Sequence, residues 1–229
     1  MSDTGSKSKR AHTQPPDRPA EDVVRDFHLL YFSSSKRTFR NTFWLGHQTA
    51  KCPLDMWVYQ EIIAERRPDL IVECGTFFGG TAYFLASMCD MVDNGRVITI
   101  DVRERQPHRR PQHPRIEYRT GSSTAPEIVA GVRESIEPGN RVMVILDSDH
   151  RKHHVMGELE AYAPLVTPGD YLIVEDTNIN GNPVMPEFGD GPKEAVEEFI
   201  AGHDEFVVDE GAEKFFMTFN PGGYLRRRE

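Results

Sequence analysis

The sequence predicts a doubly wound, mostly parallel α/β sheet of seven strands, ending in an antiparallel hairpin. Three observations carry this. From residue 70 onward, short apolar and β-branched runs alternate with helix-patterned segments, the sign of repeated parallel βαβ units. The runs LIVECG (70–75), RVMVILD (141–147) and YLIVEDT (171–177) are apolar enough for buried strands, and each carries an acid at its end. The last two runs, EFVVDE (205–210) and KFFMTFN (214–220), are too close for a crossover helix and should pair antiparallel.

In chain order, residues 1–20 (MSDTGSKSKRAHTQPPDRPA) are polar and aperiodic and read as a disordered tail. The remainder, 21–229, reads as one domain with an N-terminal helical and loop cap (21–66) and a core (67–229). Residues 22–44 fit a helix and a loop packed over a site, and LDMWVYQEIIAER (54–66) has helical spacing closed by Pro68. LIVECG is followed by a Gly-rich turn and the helical TAYFLASMCDMV (81–92). RVITIDV (96–102) and RIEYRTG (115–121) are strands, separated by the basic, Pro-rich RERQPHRRPQHPR, a solvated loop or else a lid or an oligomer contact. PEIVAGVRESI (126–136), VMGELEAYAPLV (155–166) and PKEAVEEFIAGH (192–203) supply the later helices.

Composition narrows the function. A net charge of −9 argues against a general nucleic-acid binder, which would show a basic excess. Cys52, Cys74 and Cys89 form a sparse, odd set without C-x-x-C spacing, which suits a reducing compartment. No apolar run approaches the roughly 18 residues of a membrane span, and MSDTGSKSKR lacks the apolar core of a signal peptide. The expectation is a cytoplasmic protein without a membrane partner.

Open parallel sheets bind ligands beyond the carboxyl ends of their strands, where the winding reverses. The first core strand ends VECGTFFGGT. Gly75 permits a tight turn, and Gly79 and Gly80 permit close approach at the next helix, while Thr76, Phe77 and Phe78 interrupt the G-x-G-x-x-G spacing of dinucleotide sites. Asp101 closes the second strand, where an acid meets ribose hydroxyls, and Glu73 suits a site for a cationic cofactor amine. The candidate cofactor residues are therefore Glu73, Gly75, Thr76, Gly79, Asp101 and, after the third strand, Ser122.

Asp147 ends the fourth strand, and Glu175 and Asp176 end the fifth. Strands about 4.8 Å apart bring these carboxylates to one rim, where repulsion calls for a cation. An all-oxygen set favours Mg²⁺ or Mn²⁺ over zinc. Such an ion can hold a substrate hydroxyl and lower its pKa, and His150 is the candidate base. Asp149 reads as a helix N-cap, and His153 and His154 as capping or solvent-facing residues.

The stretches VECGTFFGGTAYFLAS, VILDSDHRKHHVMGELEAYAPLV, YLIVEDTNINGNP and FFMTFNPGGYLRR resemble the cephalosporin hydroxylase / rhamnosyl O-methyltransferase family over about residues 40–226. The resemblance implies a class I fold dependent on S-adenosylmethionine (SAM), usually with Mg²⁺. The family is similar to macrolide-sugar O-methyltransferases, whose D-x-x-H motif falls here on Asp147 and His150 and whose acidic metal pair falls on Glu175 and Asp176. By that resemblance the chain is an O-methyltransferase acting on a small-molecule hydroxyl of a sugar or secondary metabolite. The alternative is a cephalosporin-hydroxylase-type protein that binds SAM and assists hydroxylation or methoxylation without methyl transfer of its own. Phe39, Phe43 and Trp44 suit an acceptor pocket or a homo-oligomer contact.

Overall fold

The computed structural model describes residues 15–104, 108 and 110–229. Residues 1–14 of the predicted tail, and 105–107 and 109 of the basic Pro-rich loop, lie outside the described residues. The described chain runs α1 (Ala20–Ser33), β1 (Phe43–Trp44), β2 (His47–Gln48), α2 (Pro53–Arg66), β3 (Leu70–Cys74), α3 (Gly80–Met91), β4 (Arg96–Asp101) and β5 (Ile116–Thr120). It continues with α4 (Pro126–Glu134), β6 (Val142–Leu146), α5 (Lys152–Tyr162), β7 (Tyr171–Val174), α6 (Pro192–Gly202), β8 (Phe206–Val208) and β9 (Tyr224–Arg227).

The main sheet has seven strands in the order β5-β4-β3-β6-β7-β9-β8, with β9 antiparallel to both neighbours. The predicted fold class is therefore the observed one. The central strands β6 and β7 are apolar throughout, and β3 is apolar but for Glu73, because helices cover both faces there. Leu70, Val72 and Cys74 of β3 pack in a core with Leu159 and Tyr162 of α5 and Phe199 of α6. Ile71 points the other way, among Ile63 of α2 and Leu85 of α3. The same alternation divides Val144 and Leu146 from Met143 and Ile145 in β6, and Leu172 and Val174 from Tyr171 and Ile173 in β7. Continued past the strand ends, this two-residue period puts Glu73, Asp147 and Glu175 on the α2/α3 face.

Three sequence expectations need correction. The last strand is Tyr224–Arg227, not 214–220. The earlier segment commits its backbone elsewhere: Phe219 N–H donates to Asp55 Oδ2 (2.9 Å), and its carbonyl accepts from Asn178 N–H (3.1 Å). Met217 and Phe219 fill a separate cluster, with the Phe219 ring against His28, Tyr31, Phe32 and Phe39, while Phe215 packs on the α2/α3 core and Phe216 is exposed. Secondly, α5 starts three residues before the predicted 155, and Arg151 occupies its N-cap position. Asp149 instead accepts the Arg151 N–H at 3.0 Å in the turn before it. Thirdly, the loop after α1 contains the β1–β2 hairpin, which docks on α3 through Trp44, edge-on to Phe84 and donating to Ser87 Oγ (3.0 Å).

Candidate active site

The winding reverses between β3 and β6, and a cleft of about 800 Å³ opens there beyond the carboxyl ends of β3, β4 and β6. Gly75, Thr76 and Asp101 line one half, and Asp147, His150 and His154 the other. Phe39 and Arg40, from the turn after α1, also line it, whereas the Phe43 side chain is exposed.

On the β3–β4 half the backbone geometry is forced. Gly75 has φ +108°, and a Cβ there would lie 1.9 Å from the Asp147 carbonyl oxygen, so only glycine lets the two strand ends meet. Asp101 is fixed at the rim by accepting from Phe77 N–H (2.9 Å) and Arg103 N–H (3.2 Å). Thr76 Oγ1 lies 2.7 Å from Thr99 Oγ1, and Thr99 donates to Glu73 Oε2 at 2.5 Å. Glu73 is wholly buried, and burial pushes its carboxyl up to about 8. It sits beneath the cleft rather than lining it. Gly79 caps α3 outside the cleft, against the Tyr118 ring, and Gly80 is approached by the Gln48 carbonyl of the hairpin, not left open for a ligand. Ser122 Oγ pairs with Thr124 Oγ1 (3.1 Å), and it is the neighbouring Ser123, not Ser122, that lines the cleft.

On the β6–β7 half, Leu146 pairs with Val174, so the next residues, Asp147 and Glu175, emerge side by side. Between them stands a residue the sequence reading missed. Lys51 Nζ lies 2.5 Å from Asp147 Oδ2 and 2.5 Å from Glu175 Oε1, and its side chain is only 7% exposed. Burial alone would lower the Lys51 pKa, but Asp147, Glu175 and Asp176 outweigh it and hold the ammonium charged. Burial pushes Asp147 and Glu175 upward against the pull of that same ammonium.

Asp176 departs from the strand with φ +56°, and its N–H donates to Asn220 Oδ1 at 3.1 Å. An aspartate tolerates this left-handed conformation better than most side chains. Asp176 Oδ2 then faces His150 Nε2 at 3.2 Å. Asp147, His150 and Asp176 each offer one donor atom within 4.8 Å of the others, an arrangement able to hold a metal ion. Glu175 lies deeper: its Oε1 is buried and, despite the nearby ammonium, makes no hydrogen bond of acceptable geometry. A hard divalent cation fits this donor set, which is rich in carboxylate oxygen and holds one buried oxygen without a hydrogen bond.

Of the other histidines, His153 is exposed on α5. His154, expected to be a bystander, lines the cleft. Its Nε2 lies 3.0 Å from Ser148 Oγ, 3.2 Å from Ser123 Oγ and 3.5 Å from the buried Glu158 Oε1. Helical spacing (i, i+4) pairs His154 with Glu158, but Ser123 and Ser148 come from separate segments that no periodicity links to them.

The family model described as Rhamnosyl O-methyltransferase/CmcI matches residues 36–228. The chain belongs to the rhamnosyl O-methyltransferase/CmcI family. It is 37% identical over 218 residues to the rhamnosyl O-methyltransferase of Mycobacterium leprae (strain TN), covering 92% of this chain and 93% of the relative. The corresponding protein of Mycobacterium tuberculosis (strain ATCC 25618 / H37Rv) is 38% identical over 219 residues, with 92% and 87% covered. A solved CmcI structure described as Mg-SAM shares the fold at 23% identity and a TM-score of 0.63, covering 95% and 89% of the two chains.

In this member of the family the stretches EDTN and TFNPGGY are halves of one buried support behind the carboxylates. Asp55, near the start of α2, accepts from Thr218 Oγ1 (2.5 Å), Phe219 N–H (2.9 Å) and Tyr224 O–H (2.9 Å). Asn220, fully buried, donates to Tyr59 Oη (3.1 Å) while its side-chain oxygen fixes Asp176. Thr177 Oγ1 donates to the Pro221 carbonyl at 2.9 Å, and Asn178 Nδ2 reaches His28 Nε2 of α1 at 2.9 Å. Such outer contacts orient carboxylates before a ligand arrives. No helix among the described residues is long and apolar enough to cross a membrane.

Proposed function

We propose that this chain is an O-methyltransferase that moves the methyl group of SAM to a hydroxyl of a sugar or natural-product acceptor, assisted by Mg²⁺. The observation that carries the reading is that His150, paired with Asp176, and Asp147 line the same cleft as Gly75 and Asp101. The near-full-length relatives, both named rhamnosyl O-methyltransferase, support the reaction class.

In this mechanism Gly75, Thr76 and Asp101 hold the cofactor, Asp101 toward its ribose hydroxyls, while Glu73 backs them through Thr99. Asp147, Glu175 and Asp176 hold the metal, which when bound supplies a Lewis acid for the acceptor oxygen. With Nε2–H turned to Asp176, His150 accepts at Nδ1 the proton that the acceptor hydroxyl loses as its oxygen attacks the methyl carbon. Asp176 orients the imidazole and stabilises the imidazolium that forms, at 3.2 Å. The C–O bond forms as the C–S bond breaks, so the remaining work of the residues is alignment of the two reactants.

The deciding experiment is calorimetry with S-adenosylhomocysteine, with and without Mg²⁺, followed by methyl transfer to a panel of rhamnosides and other diols. Micromolar binding and methylated product are expected. No binding at high micromolar concentration overturns the cofactor reading, and binding without transfer to any acceptor favours an accessory role beside an oxygenase.

A further inference from the structure

Lys51 belongs to neither the glycine turn nor the acidic motifs, yet it lies at the centre of the carboxylate rim. It precedes α2 by two residues and is anchored at both ends of its backbone: its N–H donates to Thr42 Oγ1 (3.1 Å) and its carbonyl accepts from the same hydroxyl (3.2 Å). The side chain therefore enters the α2/α3 face from a fixed position, under the strand ends where alternation has gathered Glu73, Asp147 and Glu175. Its ammonium is 2.5 Å from each of the latter two.

Charge accounting shows what this position does. Asp147, Glu175 and Asp176 bring three negative charges when ionised. One lysine leaves a deficit of two, which a single divalent ion cancels. Without the lysine, the metal-free rim would hold three unopposed charges, and buried carboxylates without a partner are strongly destabilising. Conversely, a fixed positive charge in contact with two of the oxygens repels an incoming cation.

We propose that Lys51 is a tethered counter-cation of the carboxylate rim, which stabilises the metal-free protein and competes with Mg²⁺ for Asp147 and Glu175. This rests on the metal assignment proposed above. Lys51 is thus a positioning residue that sets the metal affinity; the proton transfer stays with His150.

The test uses full-length protein freed of metal, with Mg²⁺ alone as the probe. Lys51→Met is expected to lower the metal-free melting temperature by about 10 °C. The same variant should bind Mg²⁺ about tenfold tighter or more in calorimetry, and recover most of its lost melting temperature when Mg²⁺ saturates it. Lys51→Arg, which keeps the charge, should stay near wild type in both measurements. The double variant Lys51→Met/Glu175→Gln should melt above Lys51→Met without metal, because one unopposed carboxylate has gone.

Unchanged or weaker Mg²⁺ binding by Lys51→Met overturns the competition. A Lys51→Arg variant as impaired as Lys51→Met shows that shape, not charge, is what counts, and also overturns it. Should Lys51→Met fail to fold without metal, folding on addition of Mg²⁺ supports the proposal, and no folding in either Mg²⁺ or the double variant overturns it. If the wild type binds no Mg²⁺, the metal reading falls, while the metal-free melts still test the counter-cation role.

Discussion

Glu73 at the end of β3 and Glu175 at the end of β7 are both buried glutamates on the same face of one sheet, and burial raises both pKa values. Their partners differ. Glu73 accepts at Oε2 from the Thr99 hydroxyl, with Thr76 behind it, while its Oε1 is buried without a hydrogen bond, and burial pushes it up to about 8. Glu175 faces an ammonium, next to Asp147, with Asp176 and His150 one step nearer the cleft. Burial pushes both carboxyls up to about 8, so the difference lies in the partner: a hydroxyl only donates a hydrogen bond, whereas the ammonium beside Glu175 opposes the effect of burial and can give way to another cation. The first arrangement makes scaffold and the second makes a site that can exchange cations.

The comparison breaks most readily at Asp147. Asp147→Asn removes the carboxylate that both Lys51 and the metal use, so Mg²⁺ binding should vanish in calorimetry and methyl transfer fall by about 10³-fold. Metal binding that survives this substitution would move the ion elsewhere. His150→Ala comes next, with kcat lower by about 10²–10⁴-fold. Mg²⁺ affinity measured in the same variant sharpens the division of labour, because a base leaves it nearly unchanged and a metal ligand does not.

Glu73→Gln tests the other half of the rim, and its effect is on stability. The folded pKa of about 8 lies above the usual glutamate value of 4.5. The contribution to stability is therefore complete below pH 4.5 and is lost as pH rises through about 8. Glutamine cannot ionise, so the melting difference between variant and wild type should move in favour of the variant by about 5–10 °C from pH 5 to pH 9. A pH-independent difference would show that Glu73 is already ionised in the fold.

Much of this was legible in the sequence. The core strands β3, β6 and β7 were, because helices on both faces make them apolar but for Glu73, and the text stretches around Asp147 and Glu175 carried the family. β9 was not: YLRR is half charged although Arg226 and Arg227 pair in the ladder between β7 and β8, while KFFMTFN has the aromatic content of a strand but lies in a loop, with Phe219 buried and Phe216 exposed. Lys51 was also hidden, in a stretch with no periodicity, although the shared parity of residues 73, 147 and 175 already called for a cation on that face. The carboxylates could be placed because strand register is local arithmetic; their counter-charge arrives from a segment about a hundred residues away, 96 in the case of Asp147.

The smallest expected effect lies where α1 meets the EDTN turn, and it has the opposite pH sign. His28 is buried, stacked on Phe219 at an interplanar angle of 4°, and accepts from Asn178 Nδ2 at 2.9 Å. Burial lowers its pKa to about 4 from 6.5, so the imidazole is neutral in the fold while the unfolded chain protonates first. Stability from this residue is full above pH 6.5 and is lost as pH falls toward about 4. Protonation would also turn Nε2 into a donor facing the Asn178 amide donor. His28→Gln keeps a polar partner for Asn178 but has no charge to gain. It should melt a few degrees below wild type at pH 8, by loss of the stacked ring, and close that gap by about 5 °C at pH 5. A gap that widens on acidification would mean that His28 is protonated in the folded protein, and that α1 is held to the acidic rim by charge rather than by packing.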